Sequence, residues 1–315
     1  MLDSDQTAAS HVEHALRVEL AQGDKVLSGV TPVLTHLLAS NGSSLVNEAV
    51  VARVRGMLGD LSRQILMAAN VGGSLAQPDH TEQDQLADYL ASDSAVLSHL
   101  YATAMEWQFT ERLERKQSID PVLGPLLQEL IGSDDARTAE MAMNTMAAQS
   151  RFVQCLRRME MPLSELPAEH FLHILRRSVA FVSEHTKGGS GEGVQALKRT
   201  YDESATRVGL LGRLVAGMGN AARAALDLEH AGFALFSTAL GMLTRQPREL
   251  AVLACHERQG ARLALSLRAA GLEELEIIRQ FALLEPGKAL PNGIDGLSVA
   301  HAQEIIGHSP ARGVG

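Results

Sequence analysis

Aromatic side chains are scarce in this chain of 315 residues: Phe, Tyr and Trp together make up 3% of it. β-branched and aromatic residues fill strands best, so a sheet-rich fold is poorly supplied. Cysteine is nearly absent as well. Cys155 and Cys255 stand among apolar neighbours, which reads as two small buried side chains rather than a disulfide, and a reducing cytoplasm fits that reading. No basic excess exists: Lys+Arg 28 against Asp+Glu 37 gives a net charge of −9. General affinity for nucleic acid rests on neutralising phosphates, so none is expected. The polar, acidic start MLDSDQTAASHVEH has neither the positive end nor the apolar core of a signal peptide. The longest apolar run, Ala231 to Leu243, is about 13 residues, and a membrane span takes about 20.

Catalytic signatures are missing too. HExxH and the Glu-x-x-His of di-iron bundles are absent. Gly188 to Gly193 contains spaced glycines, yet no strand precedes them and no Gly-Lys-Ser/Thr follows, so they read as a linker and not a phosphate loop. A serine nucleophile elbow lacks its second glycine and its sheet. No catalytic residue and no cofactor is assigned.

Ala, Leu, Met, Arg and Glu abound, and these lose little rotamer freedom in a helix. Residues 226–284 are the stretch around which the chain is organised, because a helix apolar on nearly every side, Ala231 to Leu243, has to be enclosed by others. Upstream, Met1 to Ala9 reads as disordered and His11 to Leu20 as a short helix that Gly23-Asp24 breaks. Thr31-Pro32 then opens another helix. Val46, Val50, Val54, Met57, Leu61, Ile65 and Ala68 form a long stripe at steps of three and four. Further helices run from Ser92 or Asp93 past Trp107, from Pro125 to Gly132, from Asp134 to Met159 and from Pro167 onward. Val194 to Met218 reads as one continuous stripe, with Gly209 and Gly212 placed for close approach of a neighbouring backbone. The fold class is all-α, an irregular helical-repeat-like superhelix or multi-helix bundle built from αα-hairpins. A joint at 186–193 separates an N-terminal region, 1–185, from a C-terminal region, 194–315.

Glu169, His170 and His173 share one side of a helix and are the nearest thing to a metal set, although Arg176 and Arg177 beside them repel a cation. His185, in His-Thr-Lys-Gly, is one residue short of a phosphotransfer motif, and His256-Glu257 lacks the flanks of a kinase dimerisation helix. Glu229, His256, Glu257 and Arg258 would ring a pocket between C-terminal helices. Arg157, Arg158, Arg176, Arg177, Lys198 and Arg199 would form a basic ridge for an acidic partner if their helices aligned.

Two segments, AAQSRFVQ from Ala147 to Gln154 and RRMEMPLSELP from Arg157 to Pro167, together with the LRAAGL turn from Leu267 to Leu272, resemble a bacterial family catalogued as a domain of unknown function. The likeness runs from about residue 121 onward and rests on packing motifs. It implies a wholly helical scaffold and assigns no catalytic residue. The expected function is a non-catalytic helical scaffold that binds another protein in bacterial regulation or signalling, with self-association left open. The alternatives are a small-molecule or metal sensor or enzyme with a pocket between the C-terminal helices and, third, a histidine phosphorelay component.

Overall fold

The computed structural model of the chain describes residues 2–39, 48–69, 79–185, 191–285, 287–294 and 296–309. Its α-helices are α1 (Leu2–Ala39), α2 (Glu48–Ala69), α3 (His80–Ala91), α4 (Ser94–Gln117), α5 (Pro125–Ile131), α6 (Ala136–Arg157) and α7 (Ala168–His185). They continue with α8 (Gly191–Ala196), α9 (Arg207–Gly217), α10 (Leu228–Thr244), α11 (Arg248–Ala254), α12 (Gly260–Ala269), α13 (Glu274–Leu284) and α14 (Val299–Gly307). Short 3-10 turns link several of them, and no strand occurs among the described residues. The all-α expectation is met.

Two compact units emerge. Unit 1 comprises residues 1–30, 105–146 and 211–315, and unit 2 comprises 31–104 and 147–210. The stretches 1–185 and 194–315 each contribute to both units. Of the expected joint, residues 186–190 lie outside the described residues.

In unit 2, α2 presents the stripe read from the sequence: Val50, Val54, Met57, Leu61 and Ile65 are buried. It packs against α3, α7 and α8. The Met-Pro-Leu segment after α6 is pinned to α2 by side chains. Asp60 Oδ2 accepts the Met161 N–H at 2.9 Å, while Gln64 donates to Met161 O at 2.8 Å and accepts the Leu163 N–H at 2.9 Å. Two acids then cap each other's neighbourhoods, since a helix start leaves N–H groups without intrahelical partners. Glu165 accepts the Arg207 N–H at the start of α9, and Glu203 accepts the Ala168 N–H at the start of α7. Tyr201 stacks on Phe171 at 3.9 Å and donates its hydroxyl to Leu166 O at 2.7 Å. A Cβ on Gly209 would come within 2.4 Å of Glu203 O, which bears out the close approach expected there; at Gly212 nothing lies within 4 Å.

In unit 1, α10 packs against α5, α11 and α12, and α12 packs against α13 and α14. Leu228, Ala231, Phe233, Leu235, Phe236, Ala239 and Leu240 are all buried, as an all-round apolar helix demands. Each large side chain enclosed in this way contributes about 1.5–3 kcal/mol.

Several expectations fail. α1 runs unbroken from Leu2 through Gly23 and Pro32, so neither the terminal disorder nor the break is present. Its apolar positions on both sides of the proline, Leu16, Leu20, Leu34 and Leu37, are buried, and that burial offsets the hydrogen bond a mid-helix proline removes. The Val194 to Met218 stripe is not one helix: α8 passes into 3-10 turns at Leu197–Arg199 and Glu203–Ala205 before α9 begins. Asp202 caps the second of these turns, its carboxylate accepting the Ser204 N–H at 2.9 Å. α10 is also kinked, at Gly232, where φ is 73° and ψ 163°.

That conformation is open essentially to glycine alone. Gly232→Ala should therefore lower the stability of unit 1 by about 1–3 kcal/mol, measured by urea unfolding, with the helical circular dichroism of the folded protein unchanged.

Candidate functional site

Several charged groups of unit 1 are enclosed, and each must be paired to remain so. Arg248 opens α11 and meets Glu106 of α4 through two bonds of 2.7 Å; it also donates to Thr238 at 2.9 Å and Ser237 at 3.1 Å. Burial weighs against its charge, but the Glu106 carboxylate outweighs burial and holds the guanidinium above its ordinary value. Arg262 of α12 is deeper, at 1% exposure. It pairs with Asp24 of α1, donates to Gln246 Oε1 at 3.0 Å and to Ser309 Oγ at 2.7 Å, and Ser309 in turn donates to Asp24 at 2.8 Å. Burial draws this guanidinium down, with Asp24 opposing. Both arginines face structural partners.

Helix α13 holds the more distinctive arrangement. A capping box starts it: Glu273 and Glu276 exchange bonds with each other's backbone N–H groups. Ile277, Gln280, Phe281 and Leu284 face inward. Gln280 accepts the Leu228 N–H at the start of α10 at 2.9 Å, Arg279 pairs with Glu229, and Glu276 accepts from Arg223 at 2.5 Å. The opposite side is apolar as well. Leu275 is 80% exposed and Ile278 43%, with Ala282 on the same face. Most amphipathic helices turn a polar face outward.

At its C-terminal end α13 meets a knot of charge. Arg112 of α4 donates to Leu284 O at 2.5 Å and stands 3.8 Å from Glu285 Oε1, while Lys288 is 3.6 Å from Glu285 Oε2 and donates to Glu257 O at 2.6 Å. Burial pushes the Glu285 carboxyl above its usual range, and burial pushes the neighbouring His256 below its own. The Cys255 thiol, fully buried, is driven far up by the same desolvation and bonds Ala251 O at 3.5 Å.

The residues singled out from sequence disperse. His256 caps the 3-10 turn Glu257–Gln259 by accepting the Arg258 N–H on Nδ1 at 3.2 Å, and Arg258 is exposed. Glu229 pairs with Arg279. In unit 2, Glu169 is exposed, the His170 ring lies tilted against that of His99 with centroids 4.3 Å apart, and His173 Nε2 lies 2.8 Å from Asp93 Oδ2, so the two histidines turn to different neighbours. His185 closes α7, with its side chain outside the described residues. Of the basic ridge, Arg177 is drawn inward: it packs over Tyr89 at 4.4 Å, donates to Tyr89 O and Ser92, and stands 3.3 Å from Asp93. Arg157, Arg158, Arg176, Lys198 and Arg199 are exposed, and Arg158 pairs with Glu160 at 2.8 Å. Cys255 is the buried thiol expected; Cys155 is half-buried, and both are free.

Sequence reasoning misses Glu106, Arg248, Arg262, Arg112 and Glu285, whereas Asp93, read as a helix start, does cap α4. A usable signal existed for two of them: Glu106 stands beside Trp107 on an apolar helix, and Arg262 interrupts the apolar run from Ala261 to Leu267. No protein-family model, curated protein or solved structure matches the chain.

Two outcomes follow from these ion pairs. Asp24→Ala strands Arg262 in the interior and should cost about 3–5 kcal/mol, whereas the double variant Asp24→Leu with Arg262→Met should recover much of that loss in urea unfolding. Asp93 caps α4 through the Ala95 and Val96 N–H groups, at 3.0 and 3.2 Å. Burial raises its carboxyl, yet His173, the Val96 N–H and Arg177 together hold it below the ordinary 3.8. A depressed carboxylate stabilises above its unfolded value and ceases to do so as pH falls through the folded one. The stability gap between wild type and Asp93→Asn should thus be full at neutral pH and close below pH 3.8.

Proposed function

We propose that this protein is a non-catalytic helical scaffold whose α13 binds another protein, in bacterial cytoplasmic regulation or signalling. The observation that carries the reading is the second apolar face of α13, Leu275, Ile278 and Ala282, on a helix already seated by its first. Its acidic first turn, Glu274 and Glu276, suits a partner helix with an apolar stripe and a basic flank. The enclosed arginines support it from the other side, because their partners are structural. Two free cysteines are in keeping with a reducing compartment. No helix among the described residues is long and apolar enough to cross a membrane. The likeness of residues 121 onward to an uncharacterised helical family belongs to the same proposal.

A second reading has an observation of its own. His256 and Glu285, displaced in opposite directions around Arg112 and Lys288, are the kind of titrating set that small-molecule sites contain.

Leu275→Glu with Ile278→Glu should leave folding intact and weaken a partner captured by wild-type protein by about tenfold to a hundredfold, read by titration calorimetry of the purified pair. Unchanged affinity removes α13 as the binding element, and a bound metabolite without a protein partner moves attention to the His256 set.

A further inference from the structure

In unit 2, His173 of α7 is held at one ring nitrogen and open at the other. Nε2 lies 2.8 Å from Oδ2 of Asp93, whose other oxygen caps α4 through the Ala95 and Val96 N–H groups. An ionised carboxylate only accepts hydrogen bonds, so the neutral imidazole carries its proton on Nε2 and its lone pair on Nδ1. Among the described residues Nδ1 has no hydrogen-bond partner, and it is not one of the enclosed polar atoms left without one. The side chain is 33% exposed, enough for a small solute to reach it. Asp93 is itself fixed in place. Arg177 stands 3.3 Å from the same Oδ2, packs over the Tyr89 ring, and donates to Tyr89 O and Ser92 Oγ, both at 3.1 Å.

An imidazole oriented by a carboxylate in this way can serve as a metal ligand or as a nucleophile. The first use lacks its companions, because among the described residues no set of His, Cys, Asp or Glu able to hold a metal ion includes His173. The second is matched by its flank. Arg176 and Arg177 follow His173 by three and four positions, one turn along the helix, and Arg176 is exposed; Glu169, one turn before, is the opposing charge. We propose that His173 is a phosphoryl-accepting histidine that attacks through Nδ1, with Asp93 holding the Nε2–H and Arg176 one turn away to pair with the transferred group. With N-protonated phosphoramidate as donor, the Nδ1 lone pair forms the new P–N bond while the donor's P–N bond breaks, and ammonia leaves with the electron pair of the old bond. The ring becomes positively charged with its proton still on Nε2. That charge faces the Asp93 carboxylate, so stabilisation is supplied where charge develops and no proton has to move.

The test treats the full chain with phosphoramidate and follows each modified histidine by mass spectrometry of its peptide, with the exposed His11 and His14 of α1 as ordinary imidazoles in the same sample. His173 should be phosphorylated about tenfold faster than either, from the charge stabilisation that Asp93 supplies. Phosphorus–proton NMR should place the group on Nδ1. Asp93 is a positioning residue, and its variants separate that role from capping. Asp93→Asn keeps an acceptor for the Nε2–H without the charge, and should retain the Nδ1 product at a reduced rate. Asp93→Ala releases Nε2, and should move the product to that nitrogen at the rate of His11, a change of isomer that loss of a helix cap does not produce. Wild-type His173 reacting no faster than His11 and His14, or reacting at Nε2, overturns the proposal without any variant. An unchanged rate and isomer in Asp93→Ala overturns it as well.

Discussion

Arg262 carries a full charge into the interior of unit 1, and each group that neutralises or bonds it arrives from a different part of the chain: Asp24 from α1, Gln246 from the turn after α10, Ser309 from beyond α14. A buried ion pair adds little net stability compared with an apolar replacement, but an unpaired one is strongly unfavourable. The network consequently acts on which arrangement forms rather than on how stable it is. A register of α1 that moved Asp24 away from Arg262 would leave a charge uncompensated. Gly23 adds a steric condition at the same place, because a Cβ there would meet the Gln259 side chain at 2.7 Å, where Gln259 bonds Gly23 O.

Unit 2 meets the same requirement with backbone groups instead of buried charge. Asp60, Gln64, Glu165 and Glu203 all direct side-chain oxygens onto N–H groups that no helix satisfies. The segment from Arg157 to Pro167, read from sequence as a packing motif, is held in this way. The pinning of Met161 and Leu163 to α2 explains why it needs no secondary structure of its own beyond the single 3-10 turn at Leu163–Glu165.

Local periodicity made much of the fold legible. The α2 stripe, the enclosed α10 and the absence of strands among the described residues follow from side-chain spacing alone, since burial on one helix face leaves a step of three and four in the sequence. The failures are of two kinds. At Pro32 and Gly23 a local breaker was overridden by apolar burial on either side, and at Gly232 an apolar run concealed a kink that only the backbone dihedrals reveal. The candidate site was less legible still. Arg248 finds Glu106 across 142 positions and Arg262 finds Asp24 across 238, separations that carry no period. His256, chosen for its neighbour Glu257, turns its ring instead onto the Arg258 N–H, where it caps a 3-10 turn.

α13 brings these threads to one element. It is fixed to the start of α10 through buried Gln280 and exposed Arg279, while its outer face, Leu275 and Ile278, is left uncovered. A helix of this length is about 16 Å long, so the exposed face and the Glu285 end are within one rigid rod. Contacts to the start of α10 hold the rod in place, so its outer face is presented on a helix that needs no partner to seat it.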